Sequence, residues 1–514
     1  MKRFLIFLLF SNVYAQVRSL DEKSPFFKSI ENNAYELLRN DKNNYLIQAG
    51  PITFIEDTIC SSYTFTQLVE FVTPNNKLIG DFDNNGYNDI VASYVYDAMC
   101  FGTIVGCFQN SLGNFAFKRI NTEYLACPYG LTAYDLNSDN KMDFVYIDAG
   151  AGEVMRLLNL GSQNFSDQYV VVSSVNDTFY YINHIAVITP NEILFTDEGQ
   201  SNGQNQGVHR WNGSSSSKIN TYCAEGLAIG DLNNDGQIDL VCTKGYFRGP
   251  GNVVFQLKSG NNWSGLYNVN NTPGLYHGVT VGDIDKDGRI DVVFTDDSFD
   301  VVRVYRNNGG NPPTFTQIAS IAVSSNLRGS EVTLYDLDCD GDLDIIWSRG
   351  MGRKEGYMNP GPALGWINNP TIGGGGWTNY IVDNSINGNY GAVVGLLNND
   401  SRPDIVVGGT NIPPDLETAF LRVFYNISGG NCGATPVRND EVINNDIKIL
   451  ISQNKVVIYS NKYANSKFQI YNSSGIKVFE GYLKSTGNNI SISKGTYILL
   501  VPEYKIRKTF IVGG

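Results

Sequence analysis

Histidine is nearly missing from this chain: His184, His209 and His277 are the only three in 514 residues. They share no motif, so a histidine-assisted nucleophile or a zinc site has little support in the sequence. Each reads as an ordinary strand or loop residue. Charged residues are also scarce, at 17%, and acids outnumber bases by 51 to 38. Nothing in that balance provides a basic groove for nucleic acid. No apolar run approaches the roughly 18 residues that a membrane-spanning helix needs.

Glycine, by contrast, is plentiful at 53 residues, as expected of a turn-rich all-β protein. Many of the acids fall in one recurring loop. Its copies are Asp81-Phe-Asp-Asn-Asn-Gly-Tyr-Asn-Asp89, Asp135-Leu-Asn-Ser-Asp-Asn-Lys-Met-Asp143, Asp231-Leu-Asn-Asn-Asp-Gly-Gln-Ile-Asp239, Asp283-Ile-Asp-Lys-Asp-Gly-Arg-Ile-Asp291 and Asp336-Leu-Asp-Cys-Asp-Gly-Asp-Leu-Asp344. A worn sixth copy ends in Asp400-Ser-Arg-Pro-Asp404. Oxygen side chains at positions 1, 3, 5 and 9 suit a hard cation that takes six to eight oxygens. Position 7 adds a backbone carbonyl, and glycine at position 6 permits the sharp turn.

These features predict about five calcium sites. Their ligands are Asp81, Asp83, Asn85 and Asp89; Asp135, Asn137, Asp139 and Asp143; Asp231, Asn233, Asp235 and Asp239; Asp283, Asp285, Asp287 and Asp291; and Asp336, Asp338, Asp340 and Asp344. An EF-hand would need a glutamate at position 12, where Cys242, Phe294 and Trp347 stand instead. The flanks, such as Gly278-Val-Thr-Val-Gly282 and Asp291-Val-Val-Phe-Thr295, have the β-branched and aromatic bias of strands. Each loop therefore joins two antiparallel strands. Crowding several carboxylates into one turn without a cation is unfavourable, since like charges about 4 Å apart repel by about 1 kcal/mol even in water.

The period sets the architecture. The ninth positions fall at 89, 143, 239, 291, 344 and 404, and the step from 143 to 239 is nearly double the others. Glu192-Ile-Leu-Phe-Thr matches Asp291-Val-Val-Phe-Thr and fills that gap, with Pro190-Asn191 in place of a calcium loop. A second marker follows each loop: Phe108-Gln-Asn110, Leu158-Asn159, Trp211-Asn-Gly213, Tyr305-Arg-Asn-Asn-Gly309, Trp366-Ile-Asn368 and Phe424-Tyr-Asn426. The fourth unit, around Leu257-Lys-Ser-Gly260, lacks the asparagine. Seven units of about 50 residues, each with room for four strands, predict a seven-bladed β-propeller over residues 46–428.

These repeats resemble the FG-GAP/VCBS family, the calcium-loop propeller units also found in integrin α-chains and some fungal lectins. The resemblance covers about three quarters of the chain. It implies a propeller and calcium, but no activity.

The two ends have their own signatures. Met1-Lys-Arg, the apolar Phe4-Leu-Ile-Phe-Leu-Leu-Phe10 and the exit Val13-Tyr-Ala15 mark residues 1–15 as a secretory signal peptide. Residues 16–45 are polar, with one short helix expected around Phe27 to Leu38. A linker spans 429–445, and short strands over 446–514 predict a small C-terminal β-sandwich. Ile470-Tyr-Asn-Ser-Ser-Gly475, Ile490-Ser-Ile-Ser-Lys-Gly-Thr-Tyr-Ile498 and Lys508-Thr-Phe-Ile-Val512 resemble the sorting domain of the type IX secretion system. That resemblance implies export across an outer membrane, with the secretion machinery as a partner and the cell surface or exterior as destination.

The formal charge of −13 is mostly site chemistry, because twenty of the 51 acids lie in the six loops. Eight cysteines in an exported chain permit disulfides. Cys100 with Cys107, and Cys60 with Cys432, are candidate pairs. Cys339, at a non-ligand loop position, reads as a free or structural thiol. No catalytic residue is identifiable, because nearly all clustered carboxylates are assigned to calcium.

Trp211 and Trp366 occupy the repeated marker and are expected to pack between blades. Trp263 and Trp377 sit in Gly/Asn-rich surroundings and are candidates for stacking on sugar rings. The first functional reading is a secreted calcium-binding propeller that binds glycan or protein at a cell surface. The alternative is a polysaccharide-active, lyase-like enzyme on the same scaffold.

Overall fold

The computed structural model describes residues 46–428 and 448–512 apart from short stretches within them. The expected signal peptide over 1–15, the segment 16–45, the expected linker over 429–445, Cys60, Cys100, Asp400 and Cys432 lie outside the described residues. The chain divides after Ser428 into two compact units. Nearly all of the described secondary structure is strand.

In the first unit, seven antiparallel sheets of four or more strands follow one another along the described residues. The fifth shows the pattern: Tyr276–Gly282, Asp291–Asp296, Val301–Gly310 and Pro313–Ala322 pair in chain order. Its second strand, Asp-Val-Val-Phe-Thr-Asp, is buried at every position, as a strand covered on both faces must be. The sixth sheet runs Glu331–Tyr335, Asp344–Ser348, Leu364–Asn368 and Thr378–Asp383. In the third, Ile182–Thr189 turns directly into Glu192–Asp197, so Pro190-Asn191 does replace the long loop.

The seventh sheet is composite. Ala392–Gly395, Asp404–Asn411 and Glu417–Asn426 come from the end of the unit, and Ile52–Ile59 from its start pairs onto them. Phe54 lies opposite Asn426 and Ile59 opposite Leu421.

Packing follows the same order. Val293, Val304, Ile345 and Trp347 form a core between the fifth and sixth sheets. Ile346, Trp366, Ile405 and Phe424 join the sixth to the seventh. Ile90, Tyr94, Val406 and Leu421 join the seventh to the first. Burying a side chain of this size stabilises the fold by about 1.5–3 kcal/mol, so each interface is a substantial part of the stability. The result is a propeller-like, all-β unit.

The second unit has a three-stranded sheet, of Lys448–Ser452, Lys455–Tyr459 and Asn488–Ser491. A four-stranded sheet is built from Lys477–Tyr482, Lys467–Asn472, Gly495–Val501 and Ile506–Val512. Val456, Ile458, Phe468, Ile470 and Leu499 are buried. Among the described residues, no helix is long and apolar enough to cross a membrane.

Candidate functional site: the acidic loops and the strand ends behind them

Each acidic loop connects the first two strands of its sheet. Local hydrogen bonds shape them. Asp81 Oδ1 accepts from Asn85 N at 2.9 Å, and Asp81 Oδ2 accepts from Gly86 N at 2.9 Å. Asp83 Oδ1 accepts from Asn85 N at 3.1 Å, and Asn85 Oδ1 from Tyr87 N at 2.8 Å. Asp135, Asp231 and Asp283 repeat the position-1 pattern. The carboxylates thus draw their own backbone into a ring, leaving lone pairs on the inside.

Position 6 is left-handed in all five loops, at Gly86, Asn140, Gly236, Gly288 and Gly341. A Cβ at Gly86, Gly236 or Gly288 would meet nothing within 4 Å, so glycine there serves conformation and not space. Position 4 is also left-handed, at Asn84, Ser138, Asn234, Lys286 and Cys339.

The ninth residue has a separate job. Asp291 Oδ2 accepts from Ile284 N at 2.9 Å and its Oδ1 from Asn307 N at 2.8 Å. Asp89, Asp143, Asp239 and Asp404 are held in the same two ways. In three loops the oxygens at positions 1, 3 and 9 converge within 4.8 Å of one another: Asp81, Asp83 and Asp89; Asp283, Asp285 and Asp291; Asp336, Asp338 and Asp344.

Burial, reinforced by neighbouring carboxylates, pushes Asp89 up to about 7, and Asp239, Asp291 and Asp336 up to about 6. The same causes raise Asp344. Asp336 Oδ1 is buried, and no hydrogen-bond donor reaches it. An anionic oxygen held there without a donor fits a calcium ligand.

The loops are not equal. In the second, Lys141 Nζ lies 2.6 Å from Asp139 Oδ2 and Asn140 replaces the glycine. In the fifth, Arg289 pairs with Asp287, leaving Asp283, Asp285 and Asp291 as the convergent set.

The second marker proves to be a clamp between sheets. Asn307 Nδ2 donates to Leu232 O of the fourth loop at 2.8 Å and to Ile290 O at 3.0 Å. Asn159 reaches Phe82 O at 2.7 Å, Asn369 reaches Ile284 O at 2.8 Å, and Asn426 reaches Leu337 O at 3.3 Å. In the first unit Gln109 takes this place, not Asn110, and donates to Leu397 O of the seventh loop at 3.1 Å. In the sixth it is Asn369, one residue beyond the expected Asn368. The fourth unit puts Lys258 there, and Lys258 pairs with Glu192 of the third sheet. Asn212 of the third unit makes only local turn contacts, accepting from Ser214 and Ser215.

Three expectations about side chains change. Cys339 is disulfide-bonded and not a free thiol. Cys107 is bonded too, while Cys223 bridges to Cys242, a pair the sequence reading did not propose. Trp366 is buried and donates to Ala49 O at 3.1 Å, and Trp211 packs between the second and third sheets, both as expected. Trp263 and Trp377 are half-buried against the sheets, however, and do not stand clear as sugar platforms.

The histidines bring the main surprise. His184 of the third sheet and His277 of the fifth lie with ring centroids 6.1 Å apart, and Glu331 of the sixth meets both. Burial lowers the His277 imidazole, but the hydrogen bond and charge of Glu331, with Glu225 and Asp297, raise it to about 10. Burial lowers His184. Burial also brings Lys77 of the first sheet down to about 7 against the pull of Glu331. A shared register was the available sequence signal: Lys77, Glu225, His277 and Glu331 stand twelve to fourteen residues before Asp89, Asp239, Asp291 and Asp344.

A family model described as FG-GAP-like repeat matches residues 231–294 and 283–347, so the chain carries FG-GAP-like repeats. Cartilage acidic protein 1 of Mus musculus is 28% identical over 134 residues, covering 24% of this chain. The chain spans only 20% of that relative's length. Among solved structures, an Agrocybe aegerita lectin that recognises non-reducing terminal N-acetylglucosamine aligns over 66% of this chain and 77% of its own, at 15% identity and a TM-score of 0.30. BBS1N in complex with ARL6DN aligns over 73% and 98%, at 10% identity and a TM-score of 0.43.

Proposed function

We propose that residues 46–428 form a closed seven-bladed propeller whose acidic loops bind calcium and whose loop-bearing edge binds a glycan or an extracellular protein. The observation that carries the calcium reading is Asp336 Oδ1, a buried carboxylate oxygen with no donor, in a loop where Asp336, Asp338 and Asp344 each bring an oxygen within 4.8 Å of the others. In the first, fifth and sixth loops the residues at positions 1, 3 and 9 would hold the ion. Bound calcium would neutralise the crowded carboxylates and fix the loop backbone.

Closure is supported by the strand Ile52–Ile59 pairing with the last sheet and by the Gln109 clamp onto Leu397. The binding reading is supported by the loop tips. Asn84, Asn85, Gly86, Asp235 and Gly236 are exposed, and their backbone is fixed by the position-1 aspartates. An array of rigid polar turns on one edge suits recognition of a polar ligand better than loose loops would, because little order is lost on binding. FG-GAP-like repeats accord with an extracellular setting, and we place the protein outside the cell, delivered by the signal peptide and by a type IX sorting tail.

The experiment is a glycan array and a polysaccharide-turnover panel run on the full chain with and without millimolar calcium. Calcium-dependent retention without new chain ends supports the reading. Release of reducing or unsaturated ends replaces binding with the lyase alternative.

A further inference from the structure

Among the described residues, one cluster of potential metal ligands lies outside the acidic loops. His184 and His277, with Glu331, come from the third, fifth and sixth sheets, and Glu225 precedes the first strand of the fourth. His184 Nε2 lies 3.6 Å from Glu331 Oε1, and His277 Nδ1 lies 3.2 Å from the same oxygen. One ligand atom from each of the three residues falls within 4.8 Å of the others. Tetrahedral bonds of about 2.0–2.1 Å to zinc hold neighbouring ligand atoms about 3.4 Å apart, and the two distances from the histidines to Glu331 Oε1, 3.6 and 3.2 Å, lie on either side of that value.

We propose that His184, His277 and Glu331 form a site for a divalent transition metal, zinc foremost, distinct from the calcium loops. Two imidazoles and one carboxylate suit zinc or its neighbours, whereas calcium takes oxygen throughout. Glu225 strengthens the assignment. Its Oε2 lies 3.8 Å from His277 Nε2, on the side of the ring away from Glu331. At that distance the carboxylate acts by its charge and not through a hydrogen bond, and it raises the basicity of the ligating imidazole. His277 would thus ligate through Nδ1, which in the metal-free arrangement is shared between Glu331 Oε1 and Ser330 O at 3.2 Å. Metal binding replaces the proton on Nδ1, and the carboxylates of Glu331, Glu225 and Asp297, partly offset by Lys77, set an anionic field for the dication. Three protein ligands leave a further position for water or a ligand atom.

The test is a titration of the full chain with cobalt(II) in saturating calcium, which occupies the loops. One equivalent of cobalt should develop the visible absorption of a low-symmetry nitrogen–oxygen site, and zinc should abolish it by displacement. His184→Ala and His277→Gln should each remove the band, while Asp285→Ala in a calcium loop should leave it intact. Glu225→Gln should weaken cobalt binding about ten- to hundredfold. The glutamine at 277 keeps a donor toward Glu331, so circular dichroism can show that the fold survives. Lack of a band in the wild-type protein, or its persistence in both histidine variants, would overturn the assignment.

Discussion

Lys258 places its ammonium against the carboxylate of Glu192 in the preceding sheet, where five other units use an asparagine or glutamine amide on a backbone carbonyl. Glu192 opens the second strand of the third sheet, the place that Asp291 fills in the fifth. Arg210 Nε also binds it, at 2.7 Å. Where the acidic loop is gone, protein cations stand against the acid that remains.

Glu192→Ala therefore leaves Lys258 and Arg210 without their shared anion in a largely buried setting. Breaking a buried pair on one side costs about 3–5 kcal/mol. The midpoint of urea unfolding should drop accordingly, while calcium stoichiometry stays as in the wild type. Lys258→Ala should cost less, because Arg210 continues to hold the carboxylate.

Calcium should raise the melting temperature, by an amount equivalent to about 1.4 kcal/mol per site at ten times the dissociation constant. Asp336→Asn separates charge from fold. Without calcium it removes a buried, donorless anion, so the variant should melt at or above the wild-type temperature. With calcium it should gain less than the wild type, by one site. A calorimeter reads both, and an unchanged wild-type melt on removing calcium would refute the calcium sites.

The pH dependence without calcium has a definite sign. Asp89 is raised to about 7, and Asp239, Asp291 and Asp336 to about 6, all above the ordinary aspartate value near 3.9. The folded state favours their protonated forms. That contribution is complete below about pH 4 and is lost as pH rises through the folded values of about 6 to 7. Decalcified protein should melt lower at about pH 8 than at about pH 5, and saturating calcium should remove or reverse the trend.

Asn307→Leu should destabilise the fold by about 2–3 kcal/mol, since Leu232 O and Ile290 O both lose a buried donor. Asn308→Ala, on the exposed neighbour, should change the unfolding midpoint little. Paired denaturation curves of the two variants check this.

Much of the fold was legible because its signals are local. The nine-residue loop closes on itself through hydrogen bonds between near neighbours, so Asp283-Ile-Asp-Lys-Asp-Gly reads the same in the chain as in space. Regular spacing of the loops then marked the units, down to the one whose loop shrank to Pro190-Asn191. The clamp was visible only in outline. Its asparagine could be seen to recur, but Gln109 and Asn369 replaced the expected Asn110 and Asn368, because strand register and not composition decides which side chain faces the next sheet.

By itself, then, the sequence determined the all-β character, the repeat and the acidic loops, all written in contacts within a few residues. Tertiary structure alone decided what stands between sheets. His184 and His277 lie 93 positions apart in the chain, yet their rings meet because the first strands of different sheets converge. Glu331 reaches them from the sixth sheet and Glu225 from the bend that precedes the fourth. No local propensity encodes that meeting: it exists only once successive sheets have packed face to face and brought matching registers together.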